Sequence, residues 1–448
     1  MRPGSSDPDP DPQPFALTVT ESTDHAPLTL GLQVDASPAA EVTVDYWTEG
    51  EPRLRITSPA ADAHALLLVR LLAERTYQYE VRAAFVGDSA YADTLAGEFT
   101  TDTLPDLLDA VTLTSTGAST PPLTMLELRQ PTFQGFAAVD ATGRVVWFHP
   151  TGGASWGWTR RANGNFVFLD TRDGLNEVTP AREPVASLAA AQGELIHHDV
   201  IATPQNTLYF MSRHQQSFEG IPWTGEIIWE WDPQDGAPLE RWNSFDHLSP
   251  ATDTTSRSHP GDWIHGNSLD LGPDGLVLLS SPFLNQVIAI EPDFSAIAWR
   301  LGGANATIAT DSAGTFDFQH TAAQLAADRV LVFDNRGGRE GPLEYSRALE
   351  LEIDFDADTA REVWSFRAPN DNYAPIISGA RRLANGNTMV TFGLRHDFRG
   401  SRGPIEVYEV DPAGTVVWHL VVDGPDLMYR ATPFEAIADE VVVEAPAP

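Results

Sequence analysis

The chain has 448 residues and contains neither cysteine nor lysine. The lack of cysteine excludes disulfides, thiolate metal sites and thiol nucleophiles. The lack of lysine excludes Schiff-base chemistry and general-base catalysis by an amine. All 28 basic residues are therefore arginine.

Positive charge and long apolar runs are also scarce. Asp and Glu number 63, which gives a net charge of −35. A uniformly acidic surface repels the phosphates of nucleic acids and of anionic membranes, so we expect neither as a partner. Because no run of about 18 apolar residues occurs, we also expect no membrane span.

The residues that are present indicate a large protein with a buried core. Apolar residues make up 42% of the chain, with 12 Trp and 21 Phe, and 34 Gly and 34 Pro indicate many short elements. Residues 1–14, rich in Pro and Asp, predict a disordered tether. Such a run is typical of the spacer behind a removed export or lipidation signal, although an ordinary tail is the alternative. We therefore expect an exported protein, either periplasmic or anchored at the cell surface as a lipoprotein.

Residues 15–104 predict an immunoglobulin- or fibronectin-like β-sandwich of about seven strands. Alternating runs such as FALTVTES, EVTVDYWT and TYQYEVRAAF follow one another with polar turns between them. The segment LLAERTYQYEVRA resembles fibronectin type III domains, in which a tyrosine caps a strand corner. Tyr77 or Tyr79 would take that place here.

Residues 107–448 predict a six-bladed β-propeller, so the fold class is all-β. Strands ending in Trp, such as GRVVWFHP and GTVVWHL, alternate with polar turns that lead into apolar strands, such as ANGNFVFLD and GPDGLVLLS. The two signals recur every 40 to 80 residues, a spacing typical of four-stranded blades. Five copies and the two terminal pieces indicate six blades.

Three histidines fall at the same point of this repeat. A polar turn follows His198 and His320 by eight residues, and it follows His265 by ten, within a turn about two residues longer. Equivalent positions of a propeller form a ring around its channel, so we expect the three side chains to converge. The same count reaches Gly157 and Gly379 in the flanking blades, where glycine would leave room for a ligand or let the backbone turn.

Four arginines also share one position in the repeat. Counted forward from the turns by seven or eight residues, they are Arg172, Arg213, Arg336 and Arg395. Arginine binds sulfate, phosphate or carboxylate through two parallel hydrogen bonds, so this lining predicts an anionic ligand. A structural role at the ends of the blades is the alternative for any single one of them.

Two kinds of chemistry fit this set of side chains. His198, His265 and His320 could hold a divalent metal with an open fourth position. Alternatively, one histidine nitrogen could attack an electrophilic sulfur or phosphorus while the other groups stabilise charge and move a proton. A metal-dependent hydrolase or lyase and a non-catalytic binding propeller therefore remain alternatives to covalent catalysis.

Other side chains have weaker patterns. Asp199, beside His198, could orient an imidazole or could close a turn. Aromatic substrates could stack on a tryptophan, although tryptophans of blades are more often part of the core. The candidates for stacking are Trp156, Trp158, Trp223 and Trp263.

Several segments resemble the bacterial arylsulfate sulfotransferases, which take the sulfuryl group from an aryl ester. They occur in the family's order and together cover roughly residues 107–435. The resemblance implies a channel site without a cofactor, an aryl sulfate and a phenol as substrates, and usually a periplasmic homodimer. The segments are HHDV (197–200), DWIHGNS (262–268), FQHTAAQL (318–325), VLVFDNR (330–336) and YRA (429–431).

The resemblance also implies residue roles. His320 would be the nucleophile that is transiently sulfurylated in a ping-pong mechanism. His198 and His265 would bind the sulfuryl oxygens and assist proton transfer to the leaving phenolate, with Arg336 as a fourth catalytic residue. Since strand alternation lets only one of two neighbours face the channel, His198 is a better candidate there than His197. Substrate contacts are expected from Arg213, Asn267, Asn335, Arg395 and His197.

One segment departs from the family's pattern. The family usually has an arginine just after the strand that follows its HxNS segment, but LLSSPFLNQV (278–287) places Pro282 or Phe283 there. The loss removes a charge-assisted hydrogen-bond donor, worth about 1.5–3 kcal/mol. Arg213 or Arg336 could compensate for it; otherwise the site has moved to another reaction.

Overall fold

The computed structural model describes residues 16–22, 26–85, 92–106, 108, 111–130, 133–190, 195–336, 345–394 and 403–444. These residues form thirty-two strands, numbered β1 to β32 along the chain, and one short helix, α1 (Ser244–His247). The all-β prediction is therefore confirmed. No helix in these ranges is long and apolar enough to cross a membrane. The predicted tether, 1–14, lies outside the described residues.

The chain divides into two compact units, Pro105–Glu435 and Met1–Leu104 with Ala436–Pro448. The strands of the smaller unit form one hydrogen-bonded sheet, and β1 (Ala16–Glu21) pairs with its central strand β2. In spatial order the sheet contains β32 (Val441–Glu444), β3 (Arg53–Leu68), β2 (Leu30–Trp47), β4 (Thr76–Phe85) and β5 (Ala92–Thr100).

The smaller unit corrects two predictions. The C-terminal strand pairs with β3, so the propeller ends at Glu435 and not at residue 448. The predicted run EVTVDYWT (41–48) is not a separate strand but forms the second half of β2, and bulges after Asp35 and Ala40 carry this strand through the preceding Ser-Pro. Bulges tolerate proline inside a strand, which is why a break was predicted where the strand continues.

Of the two candidate corner tyrosines, Tyr77 makes the backbone contact. Its hydroxyl oxygen accepts a hydrogen bond from the Leu72 N–H at 2.9 Å. Tyr79 donates instead to the Glu21 carboxylate at 2.8 Å. The Tyr77 contact ties the start of β4 to the chain that leads into it.

The larger unit consists of six four-stranded antiparallel sheets, which are the blades of a propeller. The first strand of each blade is the innermost, because these six strands contact one another in a closed ring. Blades 1 to 3 contain β10 (Ser155–Arg160), β11 (Phe166–Asp170), β12 (Gly174–Val178) and β13 (Pro184–Leu188); β14 (Ile196–Ala202), β15 (Leu208–Phe218), β16 (Ile221–Trp231) and β17 (Leu239–Asn243); and β18 (Ser268–Leu271), β19 (Val277–Ser281), β20 (Gln286–Ile290) and β21 (Ile297–Leu301).

Blade 4 also pairs with the short parallel strand β22 (Ala309–Thr310). Blades 4 to 6 contain β23 (His320–Ala326), β24 (Arg329–Asp334), β25 (Arg347–Asp354) and β26 (Thr359–Phe366); β27 (Gly379–Arg382), β28 (Thr388–Phe392), β29 (Ile405–Val410) and β30 (Val416–Asp423); and β31 (Leu427–Phe434), β7 (Leu123–Arg129), β8 (Gln134–Asp140) and β9 (Val145–Pro150).

Two strand pairings close the ring. The innermost strand of blade 6, β31, comes from the end of the unit, while the other three strands come from its beginning. In addition, β6 (Thr112–Gly117) pairs with β30 at the outer edge of blade 5. Both ends of the larger unit are therefore held by backbone hydrogen bonds.

The predicted repeat corresponds to real strand positions. The polar turns connect the first and second strands, and the glycines of three of them, Gly164, Gly275 and Gly386, have positive φ values of 84°, 87° and 90°. Four of the five Trp-ending strands are the fourth strands of their blades, counted from the centre. In blade 2 the corresponding run is the third strand, β16.

The core lies between neighbouring blades. Strands such as β11, β19, β20 and β28 are buried along their whole length, because a blade covers each face. Leu351 of blade 4 is fully buried in the cluster that packs blade 4 against blade 3, beside Leu278 and Trp299. Continuous apolar runs, and not alternation, are what such strands require.

Truncation of this core should destabilise the larger unit. We expect Leu351→Ala to lower the free energy of unfolding by about 2–5 kcal/mol, because a cavity replaces a fully buried side chain. Leu239→Ala, at a position that is 58% exposed, is the matched control and should change it by less than about 0.5 kcal/mol. Urea unfolding followed by tryptophan fluorescence measures both, and equal losses would contradict the assignment of the core.

Candidate active site

Three histidines from consecutive blades meet where the innermost strands begin. His198 lies on β14, His265 lies three residues before the start of β18, and His320 is the first residue of β23. The ring centroids of His198 and His265 are 4.9 Å apart, and His320 is close enough to influence the protonation of His198. The structure therefore brings together the three side chains that share one position in the repeat.

The backbone leaves regular strand geometry at these points. His198 and His265 have φ values of 64° and 51°, in the left-handed region that residues other than glycine rarely adopt. The register of β14 shifts between His197 and Val200. A bulge re-aims side chains, so alternation does not separate His197 from His198: both imidazoles are buried and bonded to each other.

The side chain of Asn335 determines which nitrogen of His320 carries a proton. Its amide nitrogen donates to the carbonyls of Ala374 at 2.7 Å and Ile377 at 2.8 Å, so its amide oxygen must face His320. That oxygen lies 2.8 Å from Nδ1 of His320, which is therefore the protonated nitrogen. Nε2 keeps its lone pair and accepts a long hydrogen bond, 3.2 Å, from the Ile377 N–H.

Asp262 bonds to Nδ1 of His265, as Asn335 does to Nδ1 of His320. Its carboxylate accepts from Nδ1 of His265 at 2.6 Å and from Nη2 of Arg213 at 2.8 Å. Burial alone would raise the pKa of Asp262, but the hydrogen bond and the charges of these two partners lower it below the usual value. Arg213 is thereby attached to the site, and its Nε is buried without a partner among the described residues.

His198 is held by a second imidazole. Its Nδ1 lies 2.5 Å from Nδ1 of His197, and Nε2 of His197 lies 2.8 Å from a carboxylate oxygen of Glu226 on β16. The other oxygen of Glu226 accepts from the Gly266 N–H at 2.9 Å. Each of the three site histidines thus has its Nδ1 bonded to a fixed group: an imidazole, a carboxylate or an amide.

Burial keeps His198 and His320 neutral. Desolvation, followed by the neighbouring His197, lowers the pKa of His198 well below its usual value. Desolvation also lowers the pKa of His320 to about 3, although the hydrogen bond to Asn335 opposes the shift. A neutral His320 with a free Nε2 lone pair is a nitrogen nucleophile at ordinary pH.

Aromatic rings surround the histidines. Phe283 stacks on His265, with centroids 4.7 Å apart and planes inclined by 14°. Phe318 lies 6.0 Å from both Phe283 and His320, measured between centroids. Tyr429 lies against His198 and His320 and donates its hydroxyl proton to the Asn267 carbonyl at 2.7 Å. The site thus presents aromatic rings as well as ring nitrogens.

The tryptophans divide between site and core. Trp156 lies 4.7 Å from His198 between ring centroids and meets Tyr429 edge-on. Trp158 packs against Phe434, and Trp223 packs against the fully buried Trp263. Of the four candidates, only Trp156 contacts a site histidine among the described contacts.

The arginines with matching positions do not form a ring. Arg213 reaches the site through Asp262, whereas Arg172 is exposed and donates to the Gly152 carbonyl. The guanidinium of Arg336 lies over the ring of Tyr345, 4.2 Å from its centroid. Arg395 lies outside the described residues. Turns of equal length set the same position along the strand, but the direction of a long side chain depends on its neighbours.

Two predicted substrate ligands make hydrogen bonds within the protein. The amide nitrogen of Asn267 donates to the Gln319 carbonyl at 2.8 Å, which links the His265 segment to the His320 segment. Asn335 orients His320, as described above. Gly157 lets two innermost strands approach, because a Cβ there would lie 3.0 Å from the His198 carbonyl oxygen.

A charged cluster adjoins the backbone of His198. Arg430 donates to the carboxylate of Asp199 at 3.0 Å, and Asp199 also accepts from the Leu269 N–H. Asp199 is therefore an ion-pair partner and does not orient an imidazole. Glu127 is fully buried, and this burial raises its pKa well above the usual value against the pull of Arg430.

A metal site is not built from the described residues. Among them, no group of three or more His, Asp or Glu side chains is placed to hold a metal ion. The Nδ1 atoms of all three site histidines already have partners.

Sequence reasoning missed several functional neighbours. Asp262 lies three residues before His265, so local spacing could have identified it. Tyr429 belongs to the YRA motif, but the motif by itself does not indicate what the ring contacts. Glu226 and Phe318 carry no comparable signal, because only the packing of strands and loops brings them to the histidines.

The low pKa of His320 predicts a specific loss of stability in acid. The unfolded chain binds a proton near pH 6.5 while the native His320 does not, so stability is complete above about pH 6.5 and falls as the pH drops toward about 3. For this one residue the loss reaches on the order of 4 kcal/mol. We expect the free energy of unfolding of the wild type to fall more steeply with decreasing pH than that of His320→Asn. Parallel pH curves in urea titrations would contradict a neutral His320.

Comparison with known proteins identifies a family. The sequence model of the arylsulfotransferase (ASST) family matches residues 108–430. A comparison with curated proteins gives no match.

The chain is also similar to solved structures of low identity. A protein of unknown function from Bacteroides caccae has 15% identity and a TM-score of 0.48, covering 71% of this chain and 100% of the other. Virginiamycin B lyase from Staphylococcus aureus has 10% identity and a TM-score of 0.37, covering 70% and 99%. The family match spans most of the larger unit and all three site histidines, and this chain therefore belongs to the arylsulfotransferase family, whose members are transferases.

Proposed function

We propose that this protein transfers a sulfuryl group from an aryl sulfate to a phenolic acceptor through a ping-pong reaction, with His320 as the sulfurylated residue. The observation that carries the proposal is the position of Asn335, which leaves Nε2 of His320 unprotonated in a buried site. Export and dimer formation stay predictions from the sequence.

The donor half-reaction uses the lone pair on Nε2. This lone pair forms the N–S bond while the S–O bond to the aryl oxygen breaks, and the aryl oxygen leaves with the electron pair. The Nδ1 proton of the resulting sulfo-imidazolium is held by the Asn335 oxygen at 2.8 Å. The Ile377 N–H, which now bonds to Nε2, becomes available to a sulfuryl oxygen. In the second half-reaction a phenol oxygen attacks the sulfur, and His320 recovers its lone pair.

The aromatic side chains beside the histidines favour a substrate that contains an aromatic ring. Phe283, Phe318 and Trp156 each have a ring beside a site histidine. Offset stacking between rings adds about 0.5–1.5 kcal/mol to simple burial. Pro282 or Phe283 stands where the family usually has arginine, and Phe283 provides an aromatic contact with His265 there.

Arg213 supplies the charge that the position of Phe283 lacks. It is attached to His265 through Asp262, and its buried Nε has no described partner. Its positive charge also contributes to the low pKa of His198, after burial and the three neighbouring histidines, so it acts inside the site. A sulfuryl group between His198 and His265 would meet this guanidinium.

Removal of the nucleophile should abolish both half-reactions. We expect His320→Ala to release no nitrophenolate from 4-nitrophenyl sulfate, with or without phenol, because it removes Nε2, the atom that would bond to sulfur. Intact-protein mass spectrometry without acceptor should show one added sulfuryl group on the wild type only. His64→Ala, in the smaller unit, is the control and should behave like the wild type. Turnover by His320→Ala at the wild-type rate would exclude this nucleophile.

Arg213 can be tested by loss and by replacement. We expect Arg213→Ala to lower kcat/KM for aryl sulfates roughly 10- to 100-fold, the value of one charge-assisted hydrogen bond. Phe283→Arg in the same variant should restore part of the loss, because it returns a cation beside His265. Arg172→Ala, the equivalent position in blade 1, is the control. Equal effects of Arg172→Ala and Arg213→Ala in the kinetic assay would argue against a role for Arg213.

A further inference from the structure

A buried chain of three side chains leads away from the site. Glu226, His197 and His198 are at most 6% exposed, and they are linked by contacts of 2.8 Å and 2.5 Å. Glu226 has no arginine partner among the described contacts, although Arg213 lies opposite it in the β15–β16 ladder. Its carboxylate is satisfied by His197 and the Gly266 N–H alone.

The short contact between the two imidazoles requires exactly one proton. Two Nδ1 atoms 2.5 Å apart cannot both be protonated, and both cannot be bare without losing the hydrogen bond. Because Nε2 of His197 faces the Glu226 carboxylate, it carries its own proton. The shared proton therefore belongs either to His198 or to His197.

These two positions of the proton define two states. With the proton on His198, His197 is neutral and Nε2 of His198 is a bare acceptor. With the proton on His197, that ring is an imidazolium paired with the Glu226 carboxylate, and a neutral His198 carries its proton on Nε2. The second state has one more proton than the first, and in it Nε2 of His198 is protonated. His198 is neutral in both states.

We propose that His197 and Glu226 form a proton store that lets His198 give a proton to the leaving phenolate and take one from the acceptor phenol without itself becoming charged. This proposal rests on the proposed sulfuryl transfer. His197 and Glu226 are positioning residues, because they act on the substrate only through His198.

The donor half-reaction empties the store. As the N–S bond to His320 forms and the S–O bond breaks, the Nε2 proton of His198 passes to the aryl oxygen. The Nδ1 proton of His197 moves to Nδ1 of His198, which leaves His197 neutral. One aryl sulfate anion and one stored proton thus become one phenol and one sulfo-histidine zwitterion.

The acceptor half-reaction refills the store. The acceptor phenol gives its proton to Nε2 of His198 as its oxygen attacks the sulfur on His320. The Nδ1 proton of His198 returns to His197, where the Glu226 carboxylate balances the charge. The N–S bond breaks with its electron pair on Nε2, so no outside acid, base or oxidant is needed.

The surroundings explain why the charge would be kept away from His198. His265, His320 and Arg213 all face this ring, and all disfavour a positive charge on it. On the site side, the carboxylate of Asp262 is already shared by His265 and Arg213. On the other side, Glu226 offers a full carboxylate 2.8 Å from His197. A positive charge therefore has a lower free energy on His197 than on His198.

The dependence of rate on the leaving group tests the store. Glu226→Gln keeps the size of the side chain but removes the charge that balances a protonated His197. We expect its donor half-reaction to slow roughly 10²- to 10⁴-fold with phenyl sulfate, whose basic phenolate needs a proton. With 4-nitrophenyl sulfate, whose phenolate leaves without one, the change should be small. Rapid mixing without acceptor measures phenol release from both donors.

Two further variants separate a proton store from a purely structural effect. Glu177→Gln removes a buried carboxylate from the equivalent third strand of blade 1, where it binds Arg161 and no histidine. It should leave the ratio of the two donor rates unchanged. His197→Asn can accept the Nδ1 proton of His198 but cannot store a proton, so it should reproduce the selective loss even if Glu226→Gln folds poorly.

The possible results distinguish a failure of the proton store from a failure of the proposed sulfuryl transfer. Equal slowing of both donors in Glu226→Gln and in His197→Asn would overturn the proton store and leave the sulfuryl transfer intact. If the wild type releases phenol from neither donor, the sulfuryl transfer itself is wrong. Selective loss with phenyl sulfate in both variants supports the store.

Discussion

Closure of the ring of blades is the constraint on which the site depends. The pairing of β31 with β7 joins the end of the larger unit to its beginning, and the six innermost strands then contact one another around one axis. Within this ring the innermost strands of blades 2 to 4 are neighbours, so His198, His265 and His320 meet although they come from three blades. The same closure places Tyr429 of β31 against His198 and His320.

Within this ring, the three site histidines differ in the group that is bonded to Nδ1. An amide fixes the proton of His320 on Nδ1 and so directs the Nε2 lone pair into the site, while burial keeps the ring neutral. A carboxylate shared with arginine holds His265. A second imidazole, backed by Glu226, holds His198. Burial makes each partner decisive, because a buried imidazole has no water to complete its hydrogen bonds.

The repeat made much of the fold predictable, because each blade obeys local rules. Asn-Gly and Asp-Gly turns mark the hairpin between the first two strands of a blade, and counting back from them locates the histidines. Prediction failed where pairing is non-local. The C-terminal strand joins the smaller sheet, and β2 passes through a Ser-Pro that usually ends a strand. Local composition contains no information about either choice.

The sequence by itself determined the all-β repeat, the shared position of three histidines and the absence of thiol and amine chemistry. Tertiary structure alone decided which groups complete the site. Matching turn lengths place a residue along its strand, but a bulge in β14 and positive φ values at His198 and His265 redirect the side chains. For the same reason, of the three described arginines in phase, Arg213 is the one that is attached to a site histidine, through Asp262. Glu226 joins it from another strand, because a hydrogen-bond partner is chosen by distance in space and not by spacing in the chain.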